Sequence, residues 1–328
     1  FLKYKVDVLS TGGTARFLKD YSSELKIIEI SEFTNFDEIL GGRVKSLHPY
    51  IHSGILGKKN DNNHIKELKN KNIPFIDLVV TNLYPFEKVA SDPKSKRQMC
   101  IENIDIGGPT LIRGAAKNYD NVTVLTNPNQ YNSFLKIVEK NNNKIPKSFR
   151  ENCAIVAFEN TSYYDGVISN WFNKDKADFC NEKISLNFKK ISQLRYGENP
   201  HQRAALFELK KNPFNKISGK DLSFNNIYDL EIAIELAQQF QKSSCVILKH
   251  GNPCGVALDN SQQRAFDKAH KCDKVSAFGG IIAFNKKLSL ETAKKLKNLF
   301  IEVVIAPEFS EKSKEILSQK KNQFLYVQ

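Results

Sequence analysis

Residues 245 to 255 read CVILKHGNPCG, and the reactive groups in this stretch are Lys249 and His250. An ammonium that can steady a developing negative charge stands beside an imidazole, a group suited to moving protons near neutral pH. Cys245 to Leu248 is a short apolar run of strand-forming residues and reads as an interior strand covered on both faces. Gly251, Asn252, Pro253 and Gly255 have the composition of a loop. In open α/β sheets ligands gather beyond the carboxyl ends of strands, so the pair is expected at such a place. A lone lysine at a strand end is more often a solvated charge. The chemical reading therefore needs other polar groups to converge there.

Candidates exist around it. LRYGENPHQ (194–202) gathers Arg195, Tyr196, Asn199 and His201 in a Gly/Pro loop, LSFNN (222–226) ends in two amides ahead of a helix, and SAFGG (276–280) sets Phe278 before a Gly-Gly turn. Singly each is a loop. In the first half, STGGTAR (10–16) runs from a strand through small hydroxyl residues and glycines into a helix. Free N–H groups at such a turn, with the helix dipole behind them, suit a phosphate, although a plain tight turn uses the same residues. GGRVKSLHP (41–49) places Arg43 and Lys45 on one side of an extended loop, and IDIGGPTLIRGAAKN (104–118) sets Asp105 before a Gly-Gly-Pro turn with Arg113 and Lys117 on one helical face. An acid, several cations and backbone donors together fit a phosphorylated substrate and proton transfer.

Other chemistries are disfavoured. No G-x-G-x-x-G and no P-loop occurs. His48 and His52 are four apart, but Pro49 intervenes and no third metal ligand is near in sequence. Asn252-Pro253-Cys254 matches part of a zinc-deaminase motif, yet the second cysteine and any His-x-Glu are missing, so no catalytic metal is expected.

The elements that must position these groups alternate. VDVLS (6–10), LKIIEI (25–30), FIDLVVTNLYPF (75–86) and NVTVLT (121–126) read as strands of a parallel sheet with helices between them, the third as a long buried strand. From Pro128 to about Phe172 the pattern is helical, and 173–183 has the polar composition of a connector. Beyond it strand-like and helix-like segments alternate again: DLEIAIELAQQF (229–240) is an amphipathic helix, CVILKH a strand, SQQRAFDKAHK a helix, GGIIAFN a strand, LSLETAKKLKNL a helix and IEVVIAP a strand. The expected organisation is a domain over 1–127, a helical extension and connector over 128–183, and a second domain over 184–328.

The chain has 328 residues, enough for two ordinary domains, with 41% hydrophobic and 26% charged residues. No apolar run approaches the roughly 20 residues that cross a bilayer, and no charged-then-apolar leader opens the chain. It begins at Phe1 and ends in FLYVQ, both inside strand-like stretches, and reads as a piece of a longer protein. The net charge of +13 is spread along the chain without a basic block interleaved with aromatics, which disfavours nucleic acid. Cysteines 100, 153, 180, 245, 254 and 272 form no Cys-x-x-Cys pair and read as reduced thiols of a cytosolic protein.

LSTGGTAR, GGRVKSLHP, NLYPF, IDIGGPTLIRGAAKN, RYGENPHQ, KHGNPCG and SAFGGIIAFN, in that order, resemble the motifs of the bifunctional purine biosynthesis family that joins AICAR transformylase to IMP cyclohydrolase. The resemblance covers essentially the whole chain, and the family extends further at both ends, so it implies that this chain is an incomplete fragment with reduced activity. It implies an α/β fold: a methylglyoxal-synthase-like parallel-sheet domain, then the first half of a cytidine-deaminase-like transformylase region without zinc. It implies formyl transfer from 10-formyltetrahydrofolate, a co-substrate, to AICAR, then closure of formyl-AICAR to IMP, in a cytoplasmic homodimer. It implies Lys249 and His250 as the transformylase pair, with Arg195, Tyr196, His201, Asn226, Phe278, Gly279 and Glu302 around the nucleotide. It implies Ser10, Thr11, Gly12, Gly13, Thr14, Arg43, Gly107 and Gly108 as binding residues of the cyclohydrolase, and Lys45, Tyr84, Asp105 and Lys117 as its catalytic groups, with acid and base roles open. STGGTAR also resembles the phosphate loop of metabolite-sensing regulatory domains, a reading that leaves NLYPF, IDIGG and everything after residue 180 unexplained.

Overall fold

Short aliphatic triplets make the strands of the first half, and the helices between them turn small or apolar faces inward. The structure, a computed structural model, describes residues 2–174, 182–209, 215–219, 221–319 and 324–327, the last as backbone only. Most of the expected connector, 173–183, lies outside the described residues. The chain forms two compact units, Phe1–Asn187 and Phe188–Gln328.

In the first unit β1 (Val8–Ser10) runs parallel to β2 (Ile27–Glu29), with α1 (Gly12–Tyr21) crossing between them. α2 (Ile30–Thr34), α3 (Pro49–Leu56) and α4 (Asn62–Asn70) follow. A second parallel pair joins β3 (Leu78–Val80) to β4 (Thr123–Leu125), separated in sequence by α5 (Phe86–Ser91), α6 (Arg97–Glu102) and α7 (Gly107–Lys117). Among the described residues the expected sheet thus appears as two parallel pairs. The expected long strand over 75–86 is three residues long. Thr81 still donates to the Leu125 carbonyl at 3.0 Å, but the chain then leaves the ladder toward Pro85, and Phe86 opens α5 with its ring fully buried.

The helical stretch after Pro128 holds α8 (Tyr131–Lys140) and the long α9 (Lys147–Asn173). Ala115 and Ala116 of α7 pack with Ala154 and Ala157 of α9 and with Val124 and Leu125 of β4, small side chains that let the two helices approach closely.

In the second unit β5 (Lys189–Gln193) and β6 (Ala205–Glu208) pair antiparallel. After them come β7 (Asn215–Ser218), α10 (Phe224–Gln238), β8 (Ser243–Lys249), β9 (Asn252–Asp259), α11 (Gln262–Cys272), β10 (Ile281–Phe284), α12 (Leu290–Lys297), β11 (Val303–Ala306), α13 (Glu311–Ser318) and β12 (Phe324–Val327). They build a six-stranded mixed sheet in the order β7-β12-β11-β10-β8-β9. β10, β11 and β12 run parallel, and β8 is antiparallel to β10.

Side chains alternate across β8 as pleating demands. Cys245 and Ile247 join a core with α11, α12 and α13, while Val246 and Leu248 join another with Leu230, Ala233, Ile234 and Ala237 of α10. β8 is therefore covered on both faces, and burying one aliphatic side chain there contributes about 1.5–3 kcal/mol.

GNPCG is not the open loop that its composition implies. Asn252 to Gly255 begin β9, and His250 and Gly251 alone connect the two strands, with Lys249 opposite Asn252. Both connecting residues have positive φ, 53° and 73°, the combination of a primed two-residue hairpin. Pro253 is tolerated because β9 is the outermost strand of the sheet.

Candidate active sites

α10 begins at a reciprocal cap: the Ser223 hydroxyl accepts from the Asn226 N–H, and the Asn226 side chain accepts from the Ser223 N–H. Three residues on, Asp229 lies on the same buried face and is 7% exposed. Its carboxylate accepts from the His250 N–H at 3.0 Å and from the Gly251 N–H at 2.7 Å. These two amides belong to the hairpin turn, so one buried acid anchors it from below. Tyr228 lies against the turn from the same helix; a Cβ at Gly251 would meet its ring at 3.0 Å.

Lys249 is half-buried and His250 exposed. The Lys249 ammonium donates to the Phe278 carbonyl at 2.6 Å, which draws the 276–280 loop to the end of β8. That loop is fixed in turn by Gly279 N–H donating to Phe300 O at 2.9 Å and Glu302 N–H donating to Gly280 O at 3.1 Å. The Asn226 amide donates to the Glu302 carboxylate at 2.7 Å. Arg195 and Tyr196 are tied to the start of α10, through Arg195 N–H to Leu222 O at 2.9 Å and Phe224 N–H to Tyr196 O at 3.2 Å. The Arg195 guanidinium lies 4.9 Å from the centre of the Tyr196 ring. His201 is exposed on the 197–204 loop, which Asn225 holds through the Glu198 carbonyl at 3.1 Å. The structure thus brings Arg195, Tyr196, Asn226, Lys249, His250, Phe278, Gly279 and Glu302 to the start of α10 and the end of β8.

The first unit assembles differently. Ser10, buried, ends β1; Thr11 precedes α1 with extended backbone and makes no side-chain cap bond, and Gly12, Gly13 and Thr14 form the first turn. The N–H groups of that turn have no helical partners. Gly12 has φ +45°, and a Cβ there would lie 3.7 Å from the Lys45 ammonium. Lys45 pairs with Glu38 at 3.0 Å. Arg43 pairs closely with Glu102 and holds that carboxyl below its ordinary range.

One residue past Lys45, the Ser46 hydroxyl sits 3.0 Å from where Gly107 would carry a Cβ, so the 43–46 loop bridges the starts of α1 and α7. At α7, the Asp105 carboxylate accepts from Gly108 N–H at 2.7 Å, and the Asp105 N–H donates to the Tyr164 hydroxyl at 2.9 Å. Burial raises the Tyr164 pKa. A Cβ on Gly108 would come within 2.4 Å of Asp105, and Leu83, next to the exposed Tyr84, packs at the same place. Lys117 does not join this group. It closes α7 at the far end, roughly 15 Å along the axis from Gly107 at about 1.5 Å per residue. There it lines a cavity of about 700 Å³ with Arg113, His52 and Phe158.

Two family models match the sequence. One, described as an MGS-like domain, covers residues 1–110, and the other, described as the AICARFT/IMPCHase bienzyme, covers residues 115–327. The chain belongs to the AICARFT/IMPCHase bienzyme family. It is 45% identical over 333 residues to the bifunctional purine biosynthesis protein PurH of Prochlorococcus marinus (strain MIT 9301), covering 98% of this chain and 63% of that protein. It is 44% identical over 325 residues to PurH of Caldicellulosiruptor saccharolyticus, covering 96% of this chain and 63% of that one. The chain thus spans a little under two thirds of the length of these relatives. A solved structure titled "Crystal structure of ForH" matches 54% of this chain and 90% of its own with 32% identity and a TM-score of 0.46.

For this member of the bienzyme family, the mixed α/β architecture with parallel strand pairs agrees with the fold that the sequence motifs imply. Asp229 escaped the motif reading, because it sits inside a helical pattern rather than a loop. Its signal was a charge one position before the apolar face that begins at Leu230. Among the described residues no three His, Cys, Asp or Glu side chains gather as a metal site, and no helix is long and apolar enough to cross a membrane.

Proposed function

We propose that this protein carries out the last two steps of IMP formation, formyl transfer from 10-formyltetrahydrofolate to AICAR and ring closure of formyl-AICAR. The observation that carries the first step is the convergence of Lys249, His250 and the Phe278–Gly279 turn at the start of α10. The amine of AICAR is attached to an aromatic ring and is a weak nucleophile. His250, with its imidazole exposed, takes the amine proton as nitrogen attacks the formyl carbon. The C–N bond forms and the formyl oxygen gains negative charge; as that oxygen re-forms the carbonyl, the bond to the folate nitrogen breaks and that nitrogen takes the proton held by His250, leaving as tetrahydrofolate. Lys249 gives one N–H to Phe278 O and keeps two for that oxygen. Arg195, Tyr196, His201, Asn226 and Glu302 bind and orient the nucleotide.

Ring closure is assigned to the first unit. The open N–H groups of Gly12, Gly13 and Thr14, with Ser10 and Thr11, bind the phosphate, and Lys45 adds its charge at the same helix start. Lys45, Tyr84 and Asp105 polarise the carboxamide and formyl groups and move protons as water leaves. Arg43, Gly107 and Gly108 complete the binding surface. Lys117 stands apart from this group in the single chain, and its part in ring closure rests on the family motif alone. We place the protein in the cytoplasm as a homodimer, with no metal in either reaction and no nucleic-acid or membrane partner. The test supplies AICAR and 10-formyltetrahydrofolate to the purified protein and follows tetrahydrofolate and IMP. Appearance of both supports the proposal, and failure to form either overturns it.

A further inference from the structure

We infer that Asp229 is the positioning residue of the formyl-transfer site, acting through the backbone of His250; the inference rests on the formyl-transfer reading above. His250 is a non-glycine residue at φ +53°, a conformation that L-residues rarely adopt. Something must hold it there. The β8–β9 ladder fixes Lys249 opposite Asn252, but the two turn residues themselves lie outside the ladder. The Asp229 carboxylate takes both, and each oxygen serves one amide: Oδ2 accepts from His250 and Oδ1 from Gly251.

Asp229 itself has little freedom. It stands on the second turn of α10, whose next residues, Leu230, Ala233 and Ile234, pack under β8. Its neighbour Tyr228 fills the space beside Gly251. The helix that carries the nucleotide-side residue Asn226 in its first turn thereby sets the direction of the imidazole through Asp229, three residues further along it. A buried carboxylate without a cation would be costly, and charge-assisted bonds to two amides offset that cost. An asparagine at 229 keeps one acceptor and turns an NH₂ toward the other amide, so the turn loses one of its two ties and the charge that strengthens both.

The test is a double-mutant cycle on formyl transfer with Asp229→Asn, His250→Ala and the double variant, alongside amide hydrogen exchange. Asp229→Asn should lower kcat by about tenfold or more and change KM for AICAR less than threefold, with faster exchange at His250 and Gly251 while β8 stays protected. In the His250→Ala background the same substitution should cost less than twofold, because Asp229 then has no imidazole to orient. Equal losses in both backgrounds would assign Asp229 to general stability and overturn the inference, as would an unchanged kcat. Absence of formyl transfer in the unsubstituted protein would instead overturn the reading beneath it, so the two failures are distinguishable.

Discussion

In the second unit Lys249 and His250 stand at the end of a strand buried on both faces and are pinned by Phe278 and Asp229. In the first, the polar groups stand at the starts of α1 and α7, beside strands only three residues long, and the 43–46 loop links them, with Lys45 at Gly12 and Ser46 at Gly107. The contrast follows from what each construction presents. A deeply packed strand ending in a tight turn presents side chains at fixed separation, which suits transferring a proton while charge forms nearby. A helix start presents backbone N–H groups, which suits holding an anion. On the proposed function, the hairpin region would supply side-chain chemistry, and the glycine-rich region would hold a phosphate with a few side chains added.

Substitutions in one region should leave the other untouched, and the largest effect should come from the hairpin. Lys249→Ala should lower kcat for formyl transfer by about 10²–10³-fold, the scale of a lost oxyanion donor, with ring closure of supplied formyl-AICAR unchanged; steady-state assays of both reactions check it. Asp105→Asn should do the reverse, lowering ring closure by about 10²-fold as a lost proton-transfer group while formyl transfer persists. A comparable loss in both reactions would break the division between the regions.

A smaller effect sharpens the account of the hairpin. Gly251→Ala forces a Cβ onto a residue at φ +73°, against the Tyr228 ring. It should destabilise the protein by about 1–2 kcal/mol, read as a lower denaturation midpoint. The smallest effect compares thiols. Burial pushes the Cys153 thiol up to about 11 and raises that of Cys245, whereas Cys272 is exposed. At pH 8 the folded protein should therefore alkylate at Cys272 and spare Cys153 and Cys245, as peptide mapping would show.

Much of this was legible in the sequence for particular reasons. CVIL announced a strand buried on both faces because four consecutive apolar residues leave no side for water. STGGTAR announced a helix start because small residues and glycines precede a helical pattern. The β9 strand was not legible, since Pro253 and two glycines have loop composition, and only its position at the sheet edge makes them compatible with pairing. Asp229 was hidden because the partner it needs lies 21 residues away in sequence, at His250. Asp105, set before the Gly-Gly-Pro turn, and Lys117, on the helical face after it, read together as parts of one chemical group, yet the eleven residues of α7 separate them. Spacing along a helix shows a shared face, not a shared place.

On the proposed function His250, presented by the hairpin, moves the proton in formyl transfer and takes no part in ring closure. This is tested most directly by assaying His250→Ala for both reactions in the same preparation. The expected result is a fall in formyl-transfer kcat of about 10²-fold or more, with ring closure of supplied formyl-AICAR within about twofold of the parent, since ring closure is assigned above to the other of the two units. Formyl transfer at the parent rate would contradict it.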